Sequence, residues 1–194
     1  MTGIDIRIQI IEAAEQRFTQ YGYGKTTMAE IAKDCDMSAA NLYRYFNNKL
    51  DIGTAIANRF LAEKERGLAL IVADKSVLCV DKLQAFILYV LHDTYYYFGK
   101  RPRLSELVER ITMSHPETLE AHSQSTVVLL KQLLDIGLQA GELDFEDIDQ
   151  TADAINTAIA AFYIPSVMPL YSLKVLEKKA HTVCELLING LMKK

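Results

Sequence analysis

Three helix-start signals, Thr27, Ser38 and Asn48, crowd residues 22–49, GYGKTTMAEIAKDCDMSAANLYRYFNNK, so no long helix or strand can pass through this segment. Thr27 is followed three residues later by Glu30, a capping-box pattern. Met28, Ile31 and Ala32 then share one apolar face at helical spacing, and that helix runs out near Cys35. Asp36 and Met37 follow, and Ser38 restarts the chain as a second N-cap. Leu42 and Phe46, four apart, give the next helix its buried side. Asn48 caps a third helix, with Asp51 in the capping-box position. The pattern predicts two short helices joined by a tight turn, the arrangement of a helix-turn-helix. The same spacing also fits an αα-hairpin with a decorated surface.

Ala39, Ala40, Asn41, Tyr43, Arg44 and Tyr45 are left facing outward or flanking. A short helix gains little by exposing two tyrosines and an arginine together, whereas a DNA groove uses them. Arg44 can donate two hydrogen bonds to guanine, Asn41 can pair with adenine, and the alanine methyls can touch a thymine methyl. Tyr43, Tyr45, Lys25, Lys49 and the Thr27 hydroxyl suit phosphates, which fix register without reading sequence. Arg7, Thr26 and Ser38 complete the candidate DNA-binding set. Bulk charge gives little help: residues 1–66 hold nine Lys or Arg and nine Asp or Glu, and the whole chain carries a formal charge of -4. Positive potential must come from clustering of Arg7, Lys25, Arg44 and Lys49 with helix N-termini.

These residues carry a resemblance. The G-Y-x-x-T-T run at Gly22 to Thr27, Ile31-Ala32, Ser38, the Leu42-Tyr43-x-Tyr45-Phe46 run and Lys49 resemble the DNA-binding domain of the TetR family of bacterial transcriptional regulators. The preceding Ile11, Ala14, Phe18 and Tyr21 match as well. The turn position commonly held by Gly is Asp36, which tolerates a left-handed backbone better than most residues. The match covers about the first third of the chain; the rest is similar in length and helical character alone. The resemblance implies a dimeric regulator, most simply a repressor of double-stranded operator DNA. It also implies an inducer that binds in the C-terminal domain and tilts the helix carrying the DNA-binding domain.

Half of the 194 residues are hydrophobic, Trp is absent, and there are 9 Gly and 4 Pro, a composition that disfavours sheet-rich and disordered classes. Cys35, Cys79 and Cys184 are isolated and form no metal-ligand spacing, so buried structural thiols are expected and no metal or cofactor. No signal peptide and no membrane-length apolar run is present, so a cytoplasmic protein with no membrane partner is expected. His92, His115, His122 and His181 are scattered, without a nucleophile–base pair or a phosphate-cradling loop. No catalytic residue is assigned, and an enzyme is not expected.

Helical periodicity continues to the end of the chain. Helices are predicted over 4–21, 48–72, 80–98, 103–113, 115–140, 146–164 and 172–191, making about nine with the two short ones. The fold class is all-α: a three-helix N-terminal domain, residues 1–47, and a helical bundle for ligand binding and dimerisation, residues 48–194. The last two helices are apolar around more than one face. They supply the expected dimer interface: Ala154, Ile155, Ala158, Ile159, Phe162, Leu176, Ala180, Val183 and Leu187. Helix 80–98 carries Tyr89, His92 and Tyr96 on one face, where a core stripe would use Leu, Ile and Val. With Leu107, Ile111, Leu129, Phe162 and Tyr163 they form the candidate pocket for a small apolar or aromatic inducer. Core packing with satisfied hydroxyls is the plainer reading of the same stripe.

Overall fold

The computed structural model describes residues 3–192, with side chains from residue 5 onward, so the outer ends of both expected domains lie outside the described residues. In chain order the α-helices are α1 (Gly3–Tyr21), α2 (Met28–Asp34), α3 (Ala39–Leu42), α4 (Lys49–Ala73), α5 (Cys79–Phe98), α6 (Leu104–Ser114), α7 (Pro116–Gln139), α8 (Ile148–Ala158) and α9 (Leu173–Leu191). Two 3₁₀ segments, Ala160–Phe162 and Pro165–Leu170, lie between α8 and α9. Among the described residues there is no strand, and one isolated bridge joins Leu143 to Met192. The fold is all-α.

The caps explain the short helices. The Thr27 side chain accepts from the Glu30 amide while Glu30 reaches back to Thr27, a complete capping box. The Ser38 hydroxyl accepts from the Asn41 amide at 3.2 Å, and Asn48 accepts from the Asp51 amide at 2.9 Å. Asp51 itself accepts from Asn47, one residue earlier than a capping box on Asn48 requires. Between α2 and α3, Asp36 takes a φ of 53°, the left-handed conformation expected of the turn. Gly141, at a φ of 70°, closes α7.

The helix expected over 146–164 is shorter. It starts at Ile148 behind the Asp147 cap and ends at Ala158. Pro165 drives Ile164 into an extended conformation, and the chain tightens to 3₁₀ before it.

The chain divides into two units. Unit 1 comprises Met1–Ala62 and Arg101–Leu119; unit 2 comprises Glu63–Lys100 and Glu120–Lys194. This division differs from the boundary expected at residue 47, because α6 and the first half of α4 belong with the N-terminal helices. Ile52 and Ile56 are buried there with Ile10, Ala14, Phe18, Ile31, Leu42 and Phe46, and α6 adds Leu104, Leu107 and Ile111. Leu107 fits so closely that a Cβ at Gly53 would lie 2.4 Å from its Cδ1. A fork from Arg17 to Asp34, one arm at 2.9 Å, ties α1 to α2. In unit 2, α5 is the central helix and packs against α9 and the second 3₁₀ segment. Its core includes Leu68, Leu83, Phe86, Ile87, Leu91, Leu130, Leu134, Ile155 and Met168.

Candidate DNA-binding surface

The segment 38–46 is held from behind. Leu42 and Phe46 are buried in unit 1, and the chain after α3 tightens, with Arg44 bonding the Asn41 carbonyl at 3.1 Å and Tyr45 that of Leu42 at 2.9 Å. Ala40, Tyr43 and Arg44 are left exposed; Tyr43 is 51% exposed. Ala39, Asn41 and Tyr45 are half-buried beside them, and the Asn41 amide lies 4.0 Å from the Met37 sulfur. Lys25, Thr27 and Ser38 are exposed at the flanks, at the starts of α2 and α3. One short surface thus offers an arginine, tyrosines, an amide, methyl groups and two helix N-termini, the set that base edges and phosphates recognise.

Four of the expected DNA contacts have other work. The Thr27 hydroxyl donates to the Glu30 carboxylate at 2.8 Å inside the capping box. Thr26 is 1% exposed, and its hydroxyl donates to the Gly22 carbonyl at 2.9 Å, bracing the loop from inside. Lys49 donates to the Tyr23 carbonyl at 2.6 Å and the Thr26 carbonyl at 2.7 Å, with its ammonium 4.2 Å from the centre of the Tyr23 ring. Burial there holds the Lys49 pKa below the ordinary lysine value. Arg7 donates to the Tyr45 carbonyl and lies 4.1 Å from the Phe46 ring centre, so it fastens α1 to the end of the reading segment. α6 completes the frame. Glu106 accepts from the Gly24 amide at 3.2 Å, and Arg103 donates to the Gln20 carbonyl.

The candidate ligand residues are dispersed. Leu107 and Ile111 are core residues of unit 1. In unit 2, Phe162 is core, Leu129 packs against the core, and Tyr96 is 56% exposed. His92 bonds Glu177 at 2.8 Å. Tyr89 and Tyr163 alone come to a common feature, a polar cluster around Lys64 that sequence reasoning missed. The signal was present: positions 56, 60, 64, 68 and 72 form one inward stripe of α4, apolar except at Lys64.

The candidate dimer residues also divide. Ile155, Ile159, Phe162, Leu176 and Ala180 are buried within the single chain: α5 packs against α9, which carries Leu176 and Ala180, and against the 3₁₀ segment that holds Phe162. Val183 and Leu187 are half-buried, and Ala154 and Ala158 are exposed. Leu170 and Leu186, absent from the expected set, are each 70% exposed.

The three cysteines are buried, and burial pushes all three thiols up, Cys79 and Cys184 to about 11. The reactive thiolate is therefore suppressed. No group of His, Cys, Asp and Glu among the described residues could hold a metal ion, and no described helix is long and apolar enough to cross a membrane.

Comparison with known proteins agrees with this geometry. Residues 10–56 match the model of bacterial regulatory proteins of the tetR family, and residues 80–184 match that of the tetracyclin repressor-like C-terminal domain. An uncharacterized HTH-type transcriptional regulator of Bacillus subtilis, YhgD, is 27% identical over 77% of this chain and 78% of its own. The crystal structure of a transcriptional regulator from Cytophaga hutchinsonii superposes with a TM-score of 0.77 at 19% identity, over 95% of this chain and 97% of that one. SmeT, the repressor of the Stenotrophomonas maltophilia multidrug efflux pump SmeDEF, superposes with a TM-score of 0.70 at 21% identity, over 97% and 91%. With helix-turn-helix and C-terminal domain both matched, the chain belongs to the TetR family of bacterial transcriptional regulators, DNA-binding proteins rather than enzymes.

Proposed function

We propose that this regulator is a repressor that binds operator DNA as a homodimer and leaves it when a small molecule binds in unit 2. The observation that carries the DNA half is the outward display of Ala40, Tyr43 and Arg44 on a segment anchored by Leu42 and Phe46. Arg44 reads a guanine, Asn41 an adenine, and Lys25, Ser38 and Tyr43 hold phosphates. Lys49, Thr26 and Arg7 keep this surface in shape.

Dimerisation puts two reading segments on adjacent turns, roughly 34–36 Å apart or a multiple of that. The surface that supports it carries exposed Ala154, Ala158 and Ala161 from α8 and its 3₁₀ extension, with Leu170, Tyr171, Val175 and Leu186 around α9. The small residues allow close approach and the large ones bury against a second copy. Phe162, as a core residue, is a poor probe of this surface; Leu186→Asp is the suitable one. Release requires a ligand that favours a DNA-incompetent state, and a coupling of about 1–3 kcal/mol suffices for a several-fold to hundred-fold loss of affinity. α4, which runs from unit 1 into unit 2, is the connector this reading uses.

The test is an anisotropy titration with DNA from immediately upstream of the protein's own gene. Tight, salt-sensitive and competitor-resistant binding is expected, with Arg44→Ala losing about 1–3 kcal/mol and its preference at one base position. Binding no better than to random duplex, from a sample shown by native mass spectrometry to be ligand-free, would overturn the reading at that promoter. A Leu186→Asp variant still dimeric in sedimentation would move the interface elsewhere.

A further inference from the structure

The interior of unit 2 carries a cluster of buried and half-buried polar side chains. Lys64 is 3% exposed and donates to the Thr94 hydroxyl at 3.0 Å, with its ammonium 5.5 Å from the centre of the Tyr163 ring. Asp93 is near enough for its charge to be felt at Lys64, and its Oδ2 is buried without a hydrogen-bond partner. Tyr89, one turn before Asp93, sets its hydroxyl against α4 so closely that a Cβ at Gly67 would come within 2.0 Å of it. On the other side, the Tyr163 hydroxyl donates to the Asn156 carbonyl at 3.4 Å, and the Asn156 amide donates to Ser123 at 3.2 Å. His122 bonds Glu65, the neighbour of Lys64, at 2.8 Å. Burial pushes the His122 pKa down and Lys64 adds to that push, while the bonded Glu65 carboxylate opposes it.

A buried ammonium and an unmatched carboxylate oxygen both destabilise a helical bundle. Such groups, gathered from α4, α5, α7, α8 and Tyr163 just past the 3₁₀ segment after α8, mark a site. Their chemistry sorts ligands. A carboxylate that met Lys64 would be driven against Asp93, and an ammonium that met Asp93 would be driven against Lys64. A neutral hydroxyl suits both, since its oxygen accepts from the ammonium and its hydrogen goes to Asp93 Oδ2. Tyr89 and Tyr163, both half-buried beside these groups, favour an aromatic body. Resting on the reading that a small molecule releases this regulator from DNA, we propose that the Lys64–Asp93 cluster is the ligand site of unit 2 and that it takes a neutral, phenol-type compound.

Three probes of one shape test it: 2-naphthol, naphthalene-2-carboxylate and 2-naphthylmethylammonium, titrated calorimetrically into the full-length protein near neutral pH. One 2-naphthol per chain is expected, with the two charged probes at least about tenfold weaker. Asp93→Leu and Lys64→Met are each expected to remain folded and to weaken 2-naphthol by about tenfold or more. Either charged probe binding as well as 2-naphthol overturns the ligand class. No 2-naphthol binding at about 1 mM, or binding unchanged in both folded variants, overturns the site. If neither variant folds, the ranking of the three probes still decides. Operator titrations with and without 2-naphthol judge the parent reading separately: Asp93-dependent binding that leaves DNA affinity unchanged supports the site and removes its role in release.

Discussion

Lys49→Met separates a lysine that holds a loop from one that holds a phosphate. The two hydrogen bonds from the Lys49 ammonium, at 2.6 and 2.7 Å, are charge-assisted, and such bonds contribute about 1.5–3 kcal/mol each. The site is half-buried, so water recovers part of the loss at the Tyr23 and Thr26 carbonyls, and methionine keeps the packing of the aliphatic stem. The expected cost is about 2–3 kcal/mol, or a fall in melting temperature of roughly 4–12 °C for a chain of this length. Well below the melting range the variant is measured by anisotropy on a random duplex over a series of salt concentrations. A lysine on a phosphate contributes about 0.9 to the slope of log affinity against log salt. Lys49→Met should leave that slope unchanged, whereas Lys25→Ala should reduce it by about 0.9 and leave the melting temperature alone. A Lys49→Met protein of undiminished stability with a slope smaller by about 0.9 would refute the structural assignment.

Lys64 makes stability depend on alkaline pH. Burial pulls its pKa from 10.5 to about 8, so between those values the unfolded chain binds more protons than the folded one, and stability rises with pH. Relative to Lys64→Met, the wild type should gain up to about 3 kcal/mol from pH 8 to 10.5, measured by urea melts; a constant difference would refute it. Comparison with the variant is needed because Cys79 and Cys184, raised from 9.0 to about 11, pull the other way above pH 9 in both proteins. Gly137→Ala places a Cβ 2.6 Å from both Cys79 Sγ and Leu143 Cδ1, an overpacking of about 1–3 kcal/mol that exceeds the helix-propensity gain of about 1 kcal/mol. A lower melting temperature is expected, and a higher one would mean that the α7 contact yields freely. Asp36→Ala should destabilise by about 1 kcal/mol and Asp36→Gly by less, because alanine tolerates the φ of 53° least; equal melting temperatures would remove strain from the turn.

What the sequence disclosed, and what it withheld, follows the reach of each interaction. The caps at Thr27, Ser38 and Asn48 were legible because an N-cap is settled by residues two or three positions away. Asp36 was legible for the same reason: its backbone conformation is a property of one residue in one turn. The partners of Lys49 lie 26 and 23 residues away and that of Arg7 lies 38 away, so nothing local distinguishes a basic side chain that meets a carbonyl from one that meets a phosphate. Leu107 and Ile111 fail similarly, since an apolar face predicts burial but not the surface that covers it. Ile155, Ile159 and Leu176 add a further ambiguity, because a helix apolar on more than one face uses one face for its own core. The exposed Leu170 and Leu186 then become the informative residues, and they sit outside the periodic stripe that suggested an interface. Lys64 is the opposite case. A cation on an inward stripe violates the pattern around it, and in a sequence otherwise consistent with its fold such violations are expected at functional or strained sites.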